Sequence, residues 1–222
     1  MRRDRGIVCL VTDRAQLGAP ADDMAAIERT LAELARHAVD AGVDIIQIRA
    51  RDLDAAPLVD IAGAMVEVAR GSATAVVVND RLDVAIACGA NGVHLRSDSF
   101  SPAACRAMTP AGFLIGRAVH HAPEAREHAA ATDYLIAGTV FATPSKPTGS
   151  PLLLGRGLAG IVEAVRVPVL AIGGVTMDRV AEVAAAGAAG VAGIRLFLTG
   201  GTSMAAVVQA VRAQFDRVRA AS

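Results

Sequence analysis

The chain has 222 residues, of which 53% are hydrophobic, and its 22 basic and 22 acidic side chains cancel to a net charge of zero. That length suits one barrel or one compact domain better than two ordinary domains, and the apolar fraction excludes a disordered chain. Balanced charge without a recurring Lys/Arg cluster argues against nucleic acid as the main partner.

Arg2, Arg3 and Arg5 open the chain, but no adequate apolar run follows before Thr12 and Asp13, so neither a signal peptide nor a membrane span is expected. Residues 7–12 then begin a series of short, β-branched, nearly continuous apolar runs. The others are 44–49, 74–79, 92–95, 112–116, 133–138, 167–172 and 190–195. Such runs suit strands buried on both faces of a parallel sheet. Between them, apolar residues recur three and four apart. Met24, Ile27, Leu31, Leu34 and Ala38 share a helical face in the first interval, and Met204, Val208, Val211, Phe215 and Val218 do so in the last. Ser101-Pro102 predicts an N-cap followed by a first-turn proline, and Gly187 predicts a helix end. Eight strand–helix units in this length predict an α/β fold, a single (β/α)8 barrel over residues 1–222. A doubly wound sheet would carry GxGxxG after its first strand, where this chain reads Thr12-Asp13-Arg14.

Cys9, Cys88 and Cys105 are odd in number and form no CxxC, which predicts reduced, mostly buried thiols in a cytoplasmic protein. Residues 141–157, with three prolines and three glycines, predict a mobile lid. Lys146, in that loop, is the one lysine among 22 basic residues, which either marks a place for a compact ammonium or reflects chance.

Barrel active sites lie at the carboxyl ends of strands. The residues there are Asp13, Gln47, Arg49, Arg51, Asn79, Asp80, His94, His120, Thr143, Ser145, Lys146, Gly173, Gly174 and Arg195. Gln47, Arg49 and Arg51 alternate along one side, so two guanidiniums could grip phosphate oxygens, unless one pairs with Asp13 or Asp80. Asn79-Asp80 could orient a ring amine or hold Mg²⁺, or could cap a helix. Gly173-Gly174, with the turn at Gly193-Ile194, lets backbone amides approach a phosphate, against the alternative of a tight turn. His120 is the candidate proton shuttle, while His94 reads as a core histidine. His37, His121 and His128 read as surface residues, and the scattered histidines argue against zinc.

Several segments follow one another in order. They are Asn79-Asp80-Arg81-Leu82-Asp83-Val84-Ala85, Gly89-Ala90-Asn91-Gly92-Val93-His94-Leu95, Asp133-Tyr134 through Gly138, Phe141-Ala142-Thr143-Pro144-Ser145-Lys146, and Ala171-Ile172-Gly173-Gly174-Val175. In them the chain resembles the thiamine phosphate synthase/TenI family. The resemblance implies pyrophosphate contacts at Gln47, Arg49 and Asn79, with Arg51 where synthases usually carry Lys, and Asp80 as first Mg²⁺ ligand. The second metal carboxylate falls on Ser99, with Asp98 one position away. Ala118 in Gly116-Arg117-Ala118-Val119-His120, Gly138-Thr139, and Gly155-Arg156-Gly157 depart toward the TenI pattern, and Arg195 replaces a small residue near the phosphate.

The first expectation is therefore a thiazole tautomerase needing no cofactor. His120 and Lys146 are its catalytic candidates. Gly173, Gly174, Gly193 and Ile194 would hold the phosphate, and Arg49, Arg51 or Lys146 the carboxylate. The alternative is a Mg²⁺-dependent synthase joining a hydroxymethylpyrimidine pyrophosphate to the thiazole phosphate, with Asp80 and Asp98 toward the metal. A third is a non-catalytic barrel that binds thiazole phosphate. The expected partner is a small phosphorylated thiazole, alone or with the pyrimidine pyrophosphate, without nucleic acid or membrane. A homodimer is left open.

Overall fold

The computed structural model describes residues 5–16, 23–198 and 201–221, so Arg2 and Arg3 lie outside the described residues. Eight strands form: β1 (Ile7–Val11), β2 (Ile45–Ile48), β3 (Ala75–Asn79), β4 (Gly92–Leu95), β5 (Leu114–Val119), β6 (Tyr134–Ala137), β7 (Val169–Ala171) and β8 (Gly190–Gly193). They pair in parallel in chain order, and β8 returns to β1 to close the barrel. Around it lie α1 (Met24–Asp40), α2 (Ala55–Ala69), α3 (Leu82–Ala87), α4 (Pro102–Ala107), α5 (Ala122–Ala129), α6 (Leu154–Glu163), α7 (Val180–Ala185), α8 (Arg195–Leu198) and α9 (Met204–Ala220). The chain is a (β/α)8 barrel. No helix among the described residues is long and apolar enough to cross a membrane.

Strand alternation sorts the side chains into two cores. Ile7, Cys9, Val11, Ile45, Val77, Tyr134, Ile136, Leu170 and Ala192 fill the barrel interior. Val8, Leu10, Ile46, Ile48, Val76 and Val78 point outward against the helices. Burial on both faces is why the strands read as unbroken apolar runs. On α1, Ile27, Leu31, Leu34 and Ala38 are buried, and the Asp23 side chain accepts from the Ala26 amide at 2.8 Å. Ser101 caps α4 with Pro102 in the first turn, and Gly187 sits at φ +81° beyond α7. All three cysteines are free; Cys9 and Cys105 are buried and Cys88 is half-buried.

The structure moves three boundaries. β5 runs through Gly116 to Val119 instead of stopping at the glycine. Gly116 is an interior strand residue because a Cβ there would lie 2.2 Å from the Tyr134 ring and 2.6 Å from His94 Nδ1. β8 ends at Gly193, and Arg195 opens α8. The loop expected to act as a lid is shorter than residues 141–157, since residues 154–157 already belong to α6.

At the amino-terminal end of the barrel, Asp44 accepts from Arg5 Nη2 at 2.7 Å, Arg212 Nη2 at 3.0 Å and the Val8 amide at 2.9 Å. Arg212 also donates to the Gly42 carbonyl at 2.6 Å, so α9 is tied to the start of β1 and β2. Charged groups at this end bear on stability, not chemistry. Asp44→Ala is expected to cost about 2 kcal/mol, discounted for solvent at Arg5, or about 4–8 °C in Tm, with KM unchanged. A thermal melt beside steady-state kinetics checks both halves of that expectation.

Candidate active site

At the opposite end, the carboxyl ends of the strands surround a cavity of about 780 Å³. That is toward the upper end of small-molecule sites. Gln47, Arg49, Arg51, Asn79, His94, His120, Thr143, Ser145, Lys146, Gly173, Gly174, Gly193, Ile194 and Arg195 all line it. Residues separated by up to 148 positions in the chain thus share one rim, because parallel strands bring every carboxyl end to the same side.

Gln47 is an inward residue of β2, only 4% exposed, and its Nε2 has no hydrogen-bond partner. A buried amide left so is a donor awaiting a ligand or water. Beyond it the Arg49 amide donates to Thr12 Oγ1 at 3.0 Å, which pins the strand end against β1. Among the described residues, no hydrogen bond or ion pair engages the Arg49 or Arg51 guanidinium. Neither pairs with Asp13 or Asp80 as the ion-pair alternative required. Asp13 instead accepts from Gln16 Nε2 at 2.6 Å and from the Ala15 amide. Loss of hydration, then the neighbouring Arg49 and Arg96 guanidiniums, push the Arg51 guanidinium below its ordinary value. Positive charge is therefore crowded here, as at a site built for an anion.

Asp80 does not cap α3, where Arg81 holds the N-cap position without a side-chain cap bond. Its backbone stands at φ +64°, and its carboxylate accepts from the Ser99 hydroxyl and, at 3.4 Å, from Arg96 Nη1. The other end of Arg96 meets Asp98. Among the described residues, no three His, Cys, Asp or Glu side chains converge as metal ligands. Beside phosphates, however, Mg²⁺ needs only one or two carboxylates and otherwise takes oxygen ligands. Asp80 with the Ser99 hydroxyl fits the one-carboxylate form. Asp98 does not complete a pair, because its carboxylate is 64% exposed and committed to Arg96.

The loop carrying these groups is held from behind. Arg117 points outward from β5, is 3% exposed, and donates to the carbonyls of Ser97 at 2.7 Å, Phe100 at 3.0 Å and Ser99 at 3.3 Å. Burial is the main cause that lowers its guanidinium below the ordinary value, with Glu124, Asp80 and Asp98 opposing. Arg96 and Arg117 were not singled out in the sequence. Arg96 could have been found as the first residue past β4, whereas nothing local marks Arg117 as a staple.

His94 is both a core residue and a wall of the cavity. It is 4% exposed, stacks on Tyr134 with ring centroids 5.6 Å apart, and its Nδ1 has no partner. Burial first, then the Arg117 charge, lowers its pKa to about 3. The unfolded chain takes up a proton below the ordinary value near 6.5 while the fold does not. The neutral form's stability is therefore present above about pH 6.5 and is lost as pH falls toward 3. Between pH 7 and pH 5 the wild type should lose about 2 kcal/mol that His94→Gln does not lose, at about 1.4 kcal/mol per unit. Urea unfolding at the two pH values measures the difference.

His120 lies exposed at the mouth directly after β5. Its Nδ1 meets the Gly138 carbonyl, which can only accept, so in the neutral ring Nε2 is the acceptor for the Ser97 hydroxyl at 3.2 Å. Lys146 is exposed on the loop after β6, where its amide donates to the Thr143 carbonyl and Thr143 Oγ1 lies 3.1 Å from Ser145 Oγ. Of the other histidines, His37 and His121 are exposed, but His128 is half-buried, 3.5 Å from Arg117 Nη2.

Gly173 and Gly174 follow β7 at φ +95° and +62°. A Cβ on Gly174 would come 2.4 Å from the Ala142 carbonyl oxygen, so the loops after β6 and β7 touch through backbone. Both glycines therefore serve a tight turn and also face the cavity. Arg179, unmarked in the sequence, joins the same loops. It donates to the Gly174 carbonyl at 3.3 Å and lies 4.7 Å over the Phe141 ring. Arg195 is exposed at the start of α8, on the cavity rim.

The sequence pattern described as thiamine monophosphate synthase matches residues 9–197. A protein of Methanoregula boonei named thiamine-phosphate synthase is 41% identical over 197 residues, covering 87% of this chain and 83% of that protein. One of Methanoculleus marisnigri with the same name is also 41% identical, covering 87% and 90%. Among solved structures, a thiamine phosphate pyrophosphorylase from Pyrococcus furiosus superposes with a TM-score of 0.78 at 29% identity over 96% of both chains.

Proposed function

The chain belongs to the thiamine monophosphate synthase family, and we propose that it joins a hydroxymethylpyrimidine pyrophosphate to a thiazole phosphate, releasing pyrophosphate. The bond from the pyrimidine methylene carbon to the pyrophosphate oxygen breaks, and the electron pair leaves with the oxygen. The thiazole nitrogen lone pair then forms the new carbon–nitrogen bond.

The observation that carries this reading is that one cavity has two flanks suited to anions. Arg49, Arg51 and Arg96 crowd one side beside Asp80, and the glycine turns after β7 and β8 with Arg195 form the other. A thiazole carboxylate phosphate also presents two anionic groups, but its single carboxylate calls for fewer guanidiniums than the three that stand together here. The relatives named thiamine-phosphate synthase favour coupling over the tautomerase that Ala118 and the Gly155-Arg156-Gly157 motif suggest. The Nε2 acceptor of His120 is also already engaged by Ser97, which weakens the case for it as a ring base.

In the proposed mechanism the guanidiniums bind the pyrophosphate and offset the charge that grows on it as it leaves. Lys146 adds a point charge from the loop after β6, and Gln47 Nε2 and Asn79 orient the pyrimidine end. The backbone around Gly174 and Ile194, with Arg195, holds the thiazole phosphate so that its nitrogen faces the methylene carbon. Mg²⁺, held by Asp80 beside Ser99, would supply further charge on the leaving pyrophosphate when bound.

Mixing both substrates with enzyme and Mg²⁺ should release pyrophosphate and the coupled product in equal amounts, followed by phosphorus NMR. Isomerisation of a thiazole carboxylate phosphate with no pyrophosphate release would return the tautomerase. Binding of thiazole phosphate without either reaction would leave a non-catalytic barrel.

A further inference from the structure

We infer that Arg96 is a pyrophosphate-binding residue and gives this protein an affinity for pyrophosphate that requires no divalent cation. Its position carries the argument. Arg96 is the first residue past β4, lines the cavity, and places Nη1 3.4 Å from Asp80 Oδ2 while Nη2 meets Asp98. Its amide is fixed at 2.9 Å to Ser99 Oγ, and Ser99 in turn donates to Asp80. A permanent positive charge therefore already stands at the carboxylate best suited to hold a cation.

The donor count agrees. A guanidinium has five N–H donors, and Asp80 and Asp98 engage two of those of Arg96. The rest are left for an anion, beside the Arg49 and Arg51 guanidiniums that no described side chain pairs. Beside Asp80, Ser99 contributes a neutral hydroxyl, so that corner of the β4 loop holds one carboxylate less than a two-carboxylate metal site. It attracts a divalent ion less and a free anion more. The coupling reaction proposed above supplies only the identity of the anion.

Calorimetric titration of sodium pyrophosphate into the full chain, in EDTA and in millimolar Mg²⁺, tests this. Wild type should bind in EDTA, and Arg96→Gly should weaken that binding about 10- to 100-fold. In Mg²⁺ the same variant should return to within about 3-fold of wild type, showing that the site is still folded, and Arg96→Lys should fall between the two in EDTA. Equal affinity of wild type and Arg96→Gly in EDTA, or wild-type binding that needs Mg²⁺, would overturn the role of Arg96 while leaving the coupling reaction standing. No pyrophosphate binding by wild type in either buffer would overturn both.

Discussion

Arg49→Ala is expected to lower kcat/KM of the coupling reaction about 100- to 1000-fold while leaving the melting temperature unchanged. The two halves of that result have one cause. The Arg49 guanidinium has no hydrogen-bond or ion-pair partner among the described residues, so removing it unpairs nothing in the fold. In the reaction it would meet a leaving group whose negative charge increases toward the transition state. Loss of one preorganised donor in such a place costs about 2.7–4 kcal/mol. The larger share should fall on kcat, because the interaction strengthens as the bond breaks. Arg49→Lys should recover only part, since an ammonium keeps the charge but not the fork that spans two oxygens. Steady-state kinetics with a thermal melt of each variant decide it.

Arg117→Leu should do the reverse, damaging the fold first and the chemistry through it. An unfolding free energy lower by about 3 kcal/mol is expected, near 6–12 °C in Tm for a chain of this size. Burying a charge without a carboxylate partner is unfavourable in itself, which would argue for leucine. Here the three carbonyls of Ser97, Ser99 and Phe100 offset that cost, and leucine would leave them without a donor. The same loop carries Arg96 and the Ser99 hydroxyl at Asp80. Pyrophosphate affinity should therefore fall with stability although Arg117 faces away from the cavity. Arg117→Lys, able to reach one carbonyl but not all three, should fall between the two. A melt and a pyrophosphate titration on each variant test the link.

The barrel was legible because its strands are buried on both faces, which leaves Val, Ile and Leu little room for polar neighbours. Gly116 misled, since a glycine closing an apolar run resembles a strand end. The Tyr134 ring, which sits 18 residues later in the chain, and His94 fill the space that a side chain there would need, so the glycine belongs inside the strand. The rim was legible for a second reason, the two-residue period that sends Gln47 inward and sets Arg49 and Arg51 beyond it. The Arg96–Asp80–Ser99 arrangement depends on how the loop after β4 folds back on β3, and no local pattern encodes that. The sequence markers for the tautomerase branch are weak ones. Gly155 and Gly157 lie in the first turn of α6, where a Cβ on Gly157 would stand 3.2 Å from Leu153, so helix packing accounts for the second glycine. Ala118 does face the cavity, but as a small apolar wall it does not choose between reactions.

Two anions must occupy the rim together if the guanidinium side and the glycine side are separate sites. Titrating thiazole phosphate into protein already saturated with pyrophosphate, in Mg²⁺, measures this directly. One equivalent should bind, with an affinity equal to or tighter than in the absence of pyrophosphate. Competition between the two, with pyrophosphate displaced as thiazole phosphate binds, would mean a single anion site and would contradict the coupling of two phosphorylated substrates in this cavity.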